Sequence, residues 1–350
     1  MLDILYGAIT SGMGEVFYYL TQHVLTCLIP ALFIAGAIAG FVKKEAVLRY
    51  FGPKVKRRIS YPVAAVSGAI LAVCSCTILP LFAGLYKKGS GIGPATAFLY
   101  SGPAINILAI VYTANVLGFK LGFARAVAAV AMAILIAFIM SRLFRQDEAR
   151  EDLGETMVSE SKRSTKVTAV FFALLMGILV VGAADIPWVH KLASLYVLTL
   201  LLAVILIYRF DREEVTEWGY ETWDLTVKIL PVLLAGTFLV GVIAHFVPPE
   251  TFRPYLGDNS LTSSFLGSLI GAILYMPTLL EVPIIGTTFG YTSGYMGDAP
   301  ALSLLLAGPS LSLPNMIVLY RIVTFKQWLA YMIIVILLST LAGFIYGLLV

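Results

Sequence analysis

Residues 94–103 read PATAFLYSGP and residues 300–309 read PALSLLLAGP, identical at five of ten positions. Each is an apolar run closed by Gly-Pro, a pair that lacks one backbone donor and loosens any helix carrying it. The match extends outward: Pro80 pairs with Pro283, Tyr50-Phe51-Gly52 with Tyr255-Leu256-Gly257, and Pro30 with Pro231. The chain therefore reads as two related units, roughly 20–144 and 222–350, joined by a helical pair at 167–208.

Composition says which solvent these units face. Of the 350 residues 59% are hydrophobic and 13% charged, and the mean hydropathy is +0.92. A soluble domain carries about a quarter charged residues to meet water. The balance of 24 basic against 20 acidic residues cannot cover a soluble globule of this size. It excludes a soluble enzyme, a nucleic-acid binder and a secreted disulfide scaffold. Three cysteines form no framework, and the net charge of +4 comes from basic residues in short loops. Since the first Lys or Arg is Lys43, the basic start of a cleavable signal peptide is not expected.

Apolar segments fall near 16–42, 61–86, 94–116, 121–141, 167–184, 191–208, 225–247, 262–289, 300–320 and 327–349. Each reaches or approaches the roughly 20 residues of a spanning helix. Loop charge chooses between topologies. If all ten cross, Lys and Arg divide 13 to 11 between the two sides. If 61–86 and 262–289 instead enter and leave on one side, the division is 20 to 4, with Lys120, Arg125, Lys191 and Arg253 outside. Cytoplasmic loops collect basic residues, so the second arrangement is preferred. Both hairpins also carry central breaks, CSCTILP at 74–80 and MPTLLEVP at 276–283.

The expectation is an all-α polytopic membrane protein with about eight full transmembrane helices plus two broken re-entrant hairpins, one in each of two inverted-topology repeats. The termini lie outside, in a cell membrane. The expected divisions are 1–144 (first repeat with its N-terminal helix), 145–221 (cytoplasmic connector and linking helix pair) and 222–350 (second repeat). Inverted repeats with interrupted helices are the architecture of secondary transporters. Freed backbone groups within a membrane are tolerated where they line a cavity.

The candidate binding residues sit at the breaks. Cys74 and Cys76 flank Ser75, and at a turned hairpin tip two such thiols can reach one soft ion, as thiolates do. They are the candidate metal ligands. Cysteine is also a small apolar residue at home in a span, and Cys27, near Pro30, reads as packing. Glu281 lies where the first unit has Ile78; a carboxylate at membrane depth points to a cation ligand or proton carrier. Ser101, Asn106, Ser310 and Asn315, with Ser312, are candidates to line the cavity or to make structural hydrogen bonds. The structural breaks are Pro80, Gly102, Pro103, Pro277, Pro283, Gly308 and Pro309. His23 and His245 read as interfacial, and Asp298 as a helix start.

CSCTILPLFAGLYKKG followed by GPATAFLYSGPAIN resembles the first-half signature of the ArsP/YraQ-type predicted permeases of bacteria and archaea, and MPTLLEVP with ALSLLLAGPSLSLPN the second half of one branch. The resemblance covers most of 20–144 and 222–350. It implies efflux of trivalent organoarsenicals or, in related branches, of metals, with the hairpin cysteines as metalloid ligands. This chain departs from it where other members carry a cysteine or small polar residues in the second half; here stands Glu281. The expected function is a secondary-transporter-type permease, not an enzyme, exporting a soft metalloid or organometalloid through a midplane Cys-Ser-Cys site. Alternatives are a permease for divalent metal ions or a small sulfur-containing solute, and a membrane-embedded thiol redox protein. No cofactor is expected. The expected partners are lipid, the substrate and a coupling proton or cation, with room for a homo-oligomer and none for nucleic acid.

Overall fold

The computed structural model describes residues 2–21, 24, 28–41, 50–51, 55–71, 75–144, 165–183, 187–246, 254–274 and 281–350. The described residues are helical throughout, with no strand. In the first half the elements are α1 (Leu2–Tyr19), α2 (Ile29–Phe41), α3 (Arg57–Leu71), α4 (Ser75–Lys87), α5 (Ile92–Ala104), α6 (Ile107–Val116) and α7 (Phe119–Leu143). The linking pair is α8 (Thr165–Ala183) and α9 (Trp188–Arg209). The second half holds α10 (Arg212–Phe246), α11 (Leu261–Ile273), a single turn α12 (Glu281–Pro283) running into a π-helical turn at Ile284–Thr288, α13 (Asp298–Leu311), α14 (Leu313–Ile322) and α15 (Phe325–Leu349).

Four described helices are long and apolar enough to cross a membrane: Phe119–Leu143, Val189–Arg209, the Arg212–Leu239 part of α10, and Phe325–Leu349. Two bent pairs, α5 with α6 and α13 with α14, raise the number to six. The chain is a multi-pass membrane protein, and its surface agrees: Phe119, Phe123, Val189, Tyr196, Ile207 and Leu349 are exposed where a soluble protein would place charge.

The repeat read in the sequence recurs in the elements. α6 and α14 are both ten residues long, α7 and α15 both 25, and each pair starts 206 residues apart. Their packing recurs at the same offset. A Cβ on Gly93 of α5 would lie 2.8 Å from the carbonyl oxygen of Ala137 in α7, and in the second half Gly343 of α15 closes against Ala299 of α13. Residue 93 matches 299 and residue 137 matches 343, so one small-residue contact is built twice. Small residues let helix backbones approach in a solvent that offers no hydrophobic drive between helices.

Three stretches differ from the sequence reading. The run at 16–42 takes in the end of α1, which begins as early as Leu2, then π-helical residues at 20, 21, 24 and 28, and α2. α1 packs on α10, with Ser11 Oγ donating to the Gly241 carbonyl at 2.9 Å. The supposed loop 209–228 is mostly helix, since α10 begins at Arg212. Its acidic first turn suits a helix N-terminus, and Lys228 pairs with Asp224 one turn away at 2.7 Å. Asp224 and Glu221 also hold Lys87 at 2.8 and 2.9 Å, tying the end of α4 to α10. Finally, Arg125 is no loop charge. It lies inside α7 and is fully buried.

Candidate functional site

The two Gly-Pro motifs act alike. Pro103 sits in the last turn of α5 and Pro309 in the last turn of α13, and the chain then bends by 42° into α6 and by 43° into α14. Asn106 and Ser312 occupy matched positions in the two bends. The Asn106 carboxamide oxygen accepts from the Ala109 backbone N–H at 3.3 Å, and Ser312 Oγ accepts from Asn315 Nδ2 at 2.7 Å. Asn106 thus supplies a partner to a backbone donor at the start of α6, whereas Ser312 bonds only a side chain.

The interrupted runs lie beside these bends. α3 lies along α5 in the same direction, with Tyr61 beside Gly93 and Gly68 beside Phe98, Ser101 and Gly102. α4 returns the other way: Ile78 meets Gly102, and α4 ends in the short turn that leads to Ile92. In the second half, Gly267 meets Pro300, and Gly271 meets Leu304 and Gly308. Residues 72–74 and 275–280 lie outside the described residues. The two bends meet each other: Tyr100 Oη donates to the Leu306 carbonyl at 3.3 Å, and Ser310 Oγ to the Tyr100 carbonyl at 3.5 Å.

Ser101, Ser310, Asn106 and Asn315 are all buried around these bends. Ser101 Oγ bonds back to the Phe98 carbonyl at 3.2 Å, a local helix bond. Asn315 Oδ1 is buried with no hydrogen-bond partner among the described residues. Pro80 is buried within α4, and Pro283 closes the α12 turn. Cys74 and Pro277, with Cys27 and His23, lie outside the described residues. Of Ser75 and Cys76 only the backbone is described, as the first turn of α4. His245 is exposed near the end of α10, and Asp298 opens α13. Among the described residues no three His, Cys, Asp or Glu cluster closely enough to hold a metal ion.

Glu281 has a partner that sequence reading missed. Its carboxylate accepts from Arg125 Nη2, and both side chains are at 0% exposure. Arg125 Nη1 donates to Thr113 Oγ1 at 2.8 Å, and that hydroxyl donates to the Ala109 carbonyl at 2.7 Å. The pair joins the halves, since Arg125 is on α7 and Glu281 on the arm of the second interrupted run. One face of each group is unused: Arg125 Nε and Glu281 Oε2 are buried without partners among the described residues. A signal existed in the sequence. Arg125 shares a helix face with Gly122, Ala129, Met132, Ala133 and Ile136, all buried. The position matching Arg125 is Tyr331, also buried, whose hydroxyl likewise lacks a partner among the described residues. Tyr331 lines a small cavity of about 10 Å³ with Phe82, Ile92, Thr96, Leu319 and Gln327.

Comparison with known proteins gives these features a family. The chain is 39% identical over 360 residues to UPF0718 protein MJ0584 of Methanocaldococcus jannaschii, an alignment covering 99% of this chain and 98% of that protein. It is 24% identical over 249 residues to UPF0718 protein YraQ of Escherichia coli, covering 71% of this chain and 56% of that one. No solved structure matches. The ArsP_1 family, described as "Predicted permease", matches residues 10–348. With nearly the whole chain inside that match, and described elements that are all helices meeting at paired Gly-Pro bends, this chain belongs to the ArsP_1 family of predicted permeases.

Proposed function

We propose that this permease works as a secondary transporter with two inverted repeats, and that it exports a soft metalloid or organometalloid such as a trivalent organoarsenical. The observation that carries the reading is that α3, α4 and α11 pack against the helices that end in the Gly-Pro bends, and the bends touch at Tyr100, Leu306 and Ser310. In this reading α3 with α4, and α11 with the arm at 281–288, are re-entrant hairpins whose tips face a common midplane site. Support for inversion comes from how the bent pairs lie against each other. From the crossing at Tyr100, stepping back along α5 to Thr96 and Ile92 leads to Leu319 and Val323, which lie forward along α14. On this reading the two bent pairs run oppositely, and the proposed hairpins would open toward opposite faces. Eight spans plus two hairpins, the three-part division of the chain, and termini outside the cell membrane complete the proposal.

Cys74 and Cys76 are the proposed soft-atom ligands. α4 begins at Ser75, within their motif, and a helix N-terminus favours thiolate over thiol. Ser75, Ser101, Asn106, Ser310 and Asn315 would line the polar part of the cavity. The Arg125–Glu281 pair weighs against a divalent cation as cargo, because the carboxylate is already neutralised and a hard dication needs several oxygens. The test is flux in proteoliposomes. Uptake of trivalent phenylarsenical into inside-out vesicles is expected in the native protein and not in Cys74→Ser/Cys76→Ser; flux indifferent to the two serines would overturn the thiol site.

A further inference from the structure

The buried charge pair carries an inference beyond a thiol site. A carboxylate and a guanidinium sealed from water cancel each other's charge, and neither tolerates isolation in that medium. If Glu281 takes a proton, Arg125 is left as an uncompensated cation, and arginine does not lose its own proton. Neutrality then requires an anion at Arg125. The unused atoms are the ones such an exchange needs: Arg125 Nε offers a free donor edge, and Glu281 Oε2 a free site for a proton.

We infer that Arg125 and Glu281 form a coupled oxyanion-and-proton site, in which a small monovalent oxyanion binds the guanidinium as Glu281 is protonated. The bookkeeping is closed: the Arg125–Glu281 contact is lost, the Arg125–oxyanion contact is made, one proton from solution joins Glu281, and the site stays neutral. Guanidinium is suited to this because its planar fork pairs two-fold with oxyanions. The titratable and polar groups facing the pair are few. Thr113 Oγ1 holds Arg125 Nη1 from α6. Tyr100 of α5 lies within electrostatic range of Arg125, Glu281 and Tyr331 of α15. Of the elements beside the arm, α13 carries Asp298, which accepts from the Tyr291 hydroxyl, and α7 carries Lys120 and Arg142 near its two ends; none of these is bonded to the pair among the described residues. The pair is closed off here, so binding requires the Glu281 arm to move away from α6 and α7. Gly286 on that arm abuts Leu117 and Val116, so the same contact would open.

This inference rests on the permease reading and not on the cysteines. Its test is titration calorimetry on the whole solubilised protein with methanesulfonate, a permanent monoanion that carries no proton of its own. Repeating it in buffers of different protonation enthalpy counts protons taken up by the protein. The expected result is saturable binding with about one proton taken up per anion in the native chain. Glu281→Gln should bind with no proton uptake, and Arg125→Gln should bind on the order of tenfold to a hundredfold more weakly. The neutral double variant Arg125→Gln/Glu281→Gln, which leaves no lone charge, should fold and not bind. Cys74→Ser/Cys76→Ser should bind as the native protein does. Absence of binding by the folded native chain, binding without proton uptake, or uptake that persists in Glu281→Gln would each overturn the inference. Arsenical flux in vesicles, measured alongside, reports separately on the transport reading.

Discussion

Breaking the Arg125–Glu281 pair from its two ends should have unequal costs. Both side chains are fully buried, and the pair is held by one charge-assisted hydrogen bond, with a second bond from Arg125 to Thr113. Removing one member of such a pair costs about 3–5 kcal/mol, most of it the price of the charge left behind. In Glu281→Gln the stranded group is a guanidinium, which cannot neutralise itself, so the full range applies. In Arg125→Met the stranded group is a carboxylate, which escapes by taking a proton. Its cost at neutral pH should be smaller and should shrink further as pH falls. The double variant Arg125→Met/Glu281→Gln leaves only the loss of two charged hydrogen bonds, each of about 1.5–3 kcal/mol before the relief of desolvation. It should be less destabilised than Glu281→Gln alone. The assay is reversible unfolding of detergent-solubilised protein at pH 5 and pH 8, arranged as a double-mutant cycle. Additive losses, or an Arg125→Met loss that does not change with pH, would refute the view that each charge is compensated by the other.

Three further outcomes follow from the packing. Gly68→Ala should destabilise by about 1–3 kcal/mol, because the new methyl would sit 2.9 Å from the Phe98 carbonyl and 3.0 Å from the Gly102 nitrogen; Gly219→Ala, in open space on α10, should instead stabilise by about 0.5–1 kcal/mol, and unfolding midpoints compare the two. Lys87→Ala should cost no more than about 1 kcal/mol, since Lys87, Glu221 and Asp224 are all partly exposed, and the loss should fade in high salt. Asp258, whose carboxylate accepts from the hydroxyls of Ser263 and Ser260, is held below the ordinary carboxylate value by those bonds. Its stabilisation is therefore present above that ordinary value and is lost as pH falls below it, so Asp258→Asn should flatten the acid side of the stability profile between pH 4 and 2.

What could be read in advance followed from backbone chemistry. Proline removes a donor whatever surrounds it, so the bends after Pro103 and Pro309 were visible in ten residues of sequence. The breaks CSCTILP at 74–80 and MPTLLEVP at 276–283 were read on the same ground, and Cys74 and residues 276–280 lie outside the described residues. What escaped depends on partners distant in sequence. Arg125 looked like a loop charge because a cation near a helix start is at home in water; only Glu281, 156 residues away, makes it an interior residue. α1 was hidden because Asp3, Thr10, Ser11 and Glu15 dilute its hydropathy, and it is α10 that receives its inner face. The first turns of α10 read as loop because REEVTEW is too polar to span, although its charge order suits a helix N-terminus. Of the candidate site, the serines and asparagines at the bends were found by position, and the ionic partner was not.

The charge pair has no counterpart in the match between the halves. Where the first half has Arg125 the second has Tyr331, and where the second has Glu281 the first has Ile78. If the halves trade shapes, the two resulting states are not mirror images in energy. One state closes on an electrostatic latch, and the other closes on a phenol and an alkyl chain. A molecule built this way has a preferred parking position, and whatever opens the latch decides when it leaves.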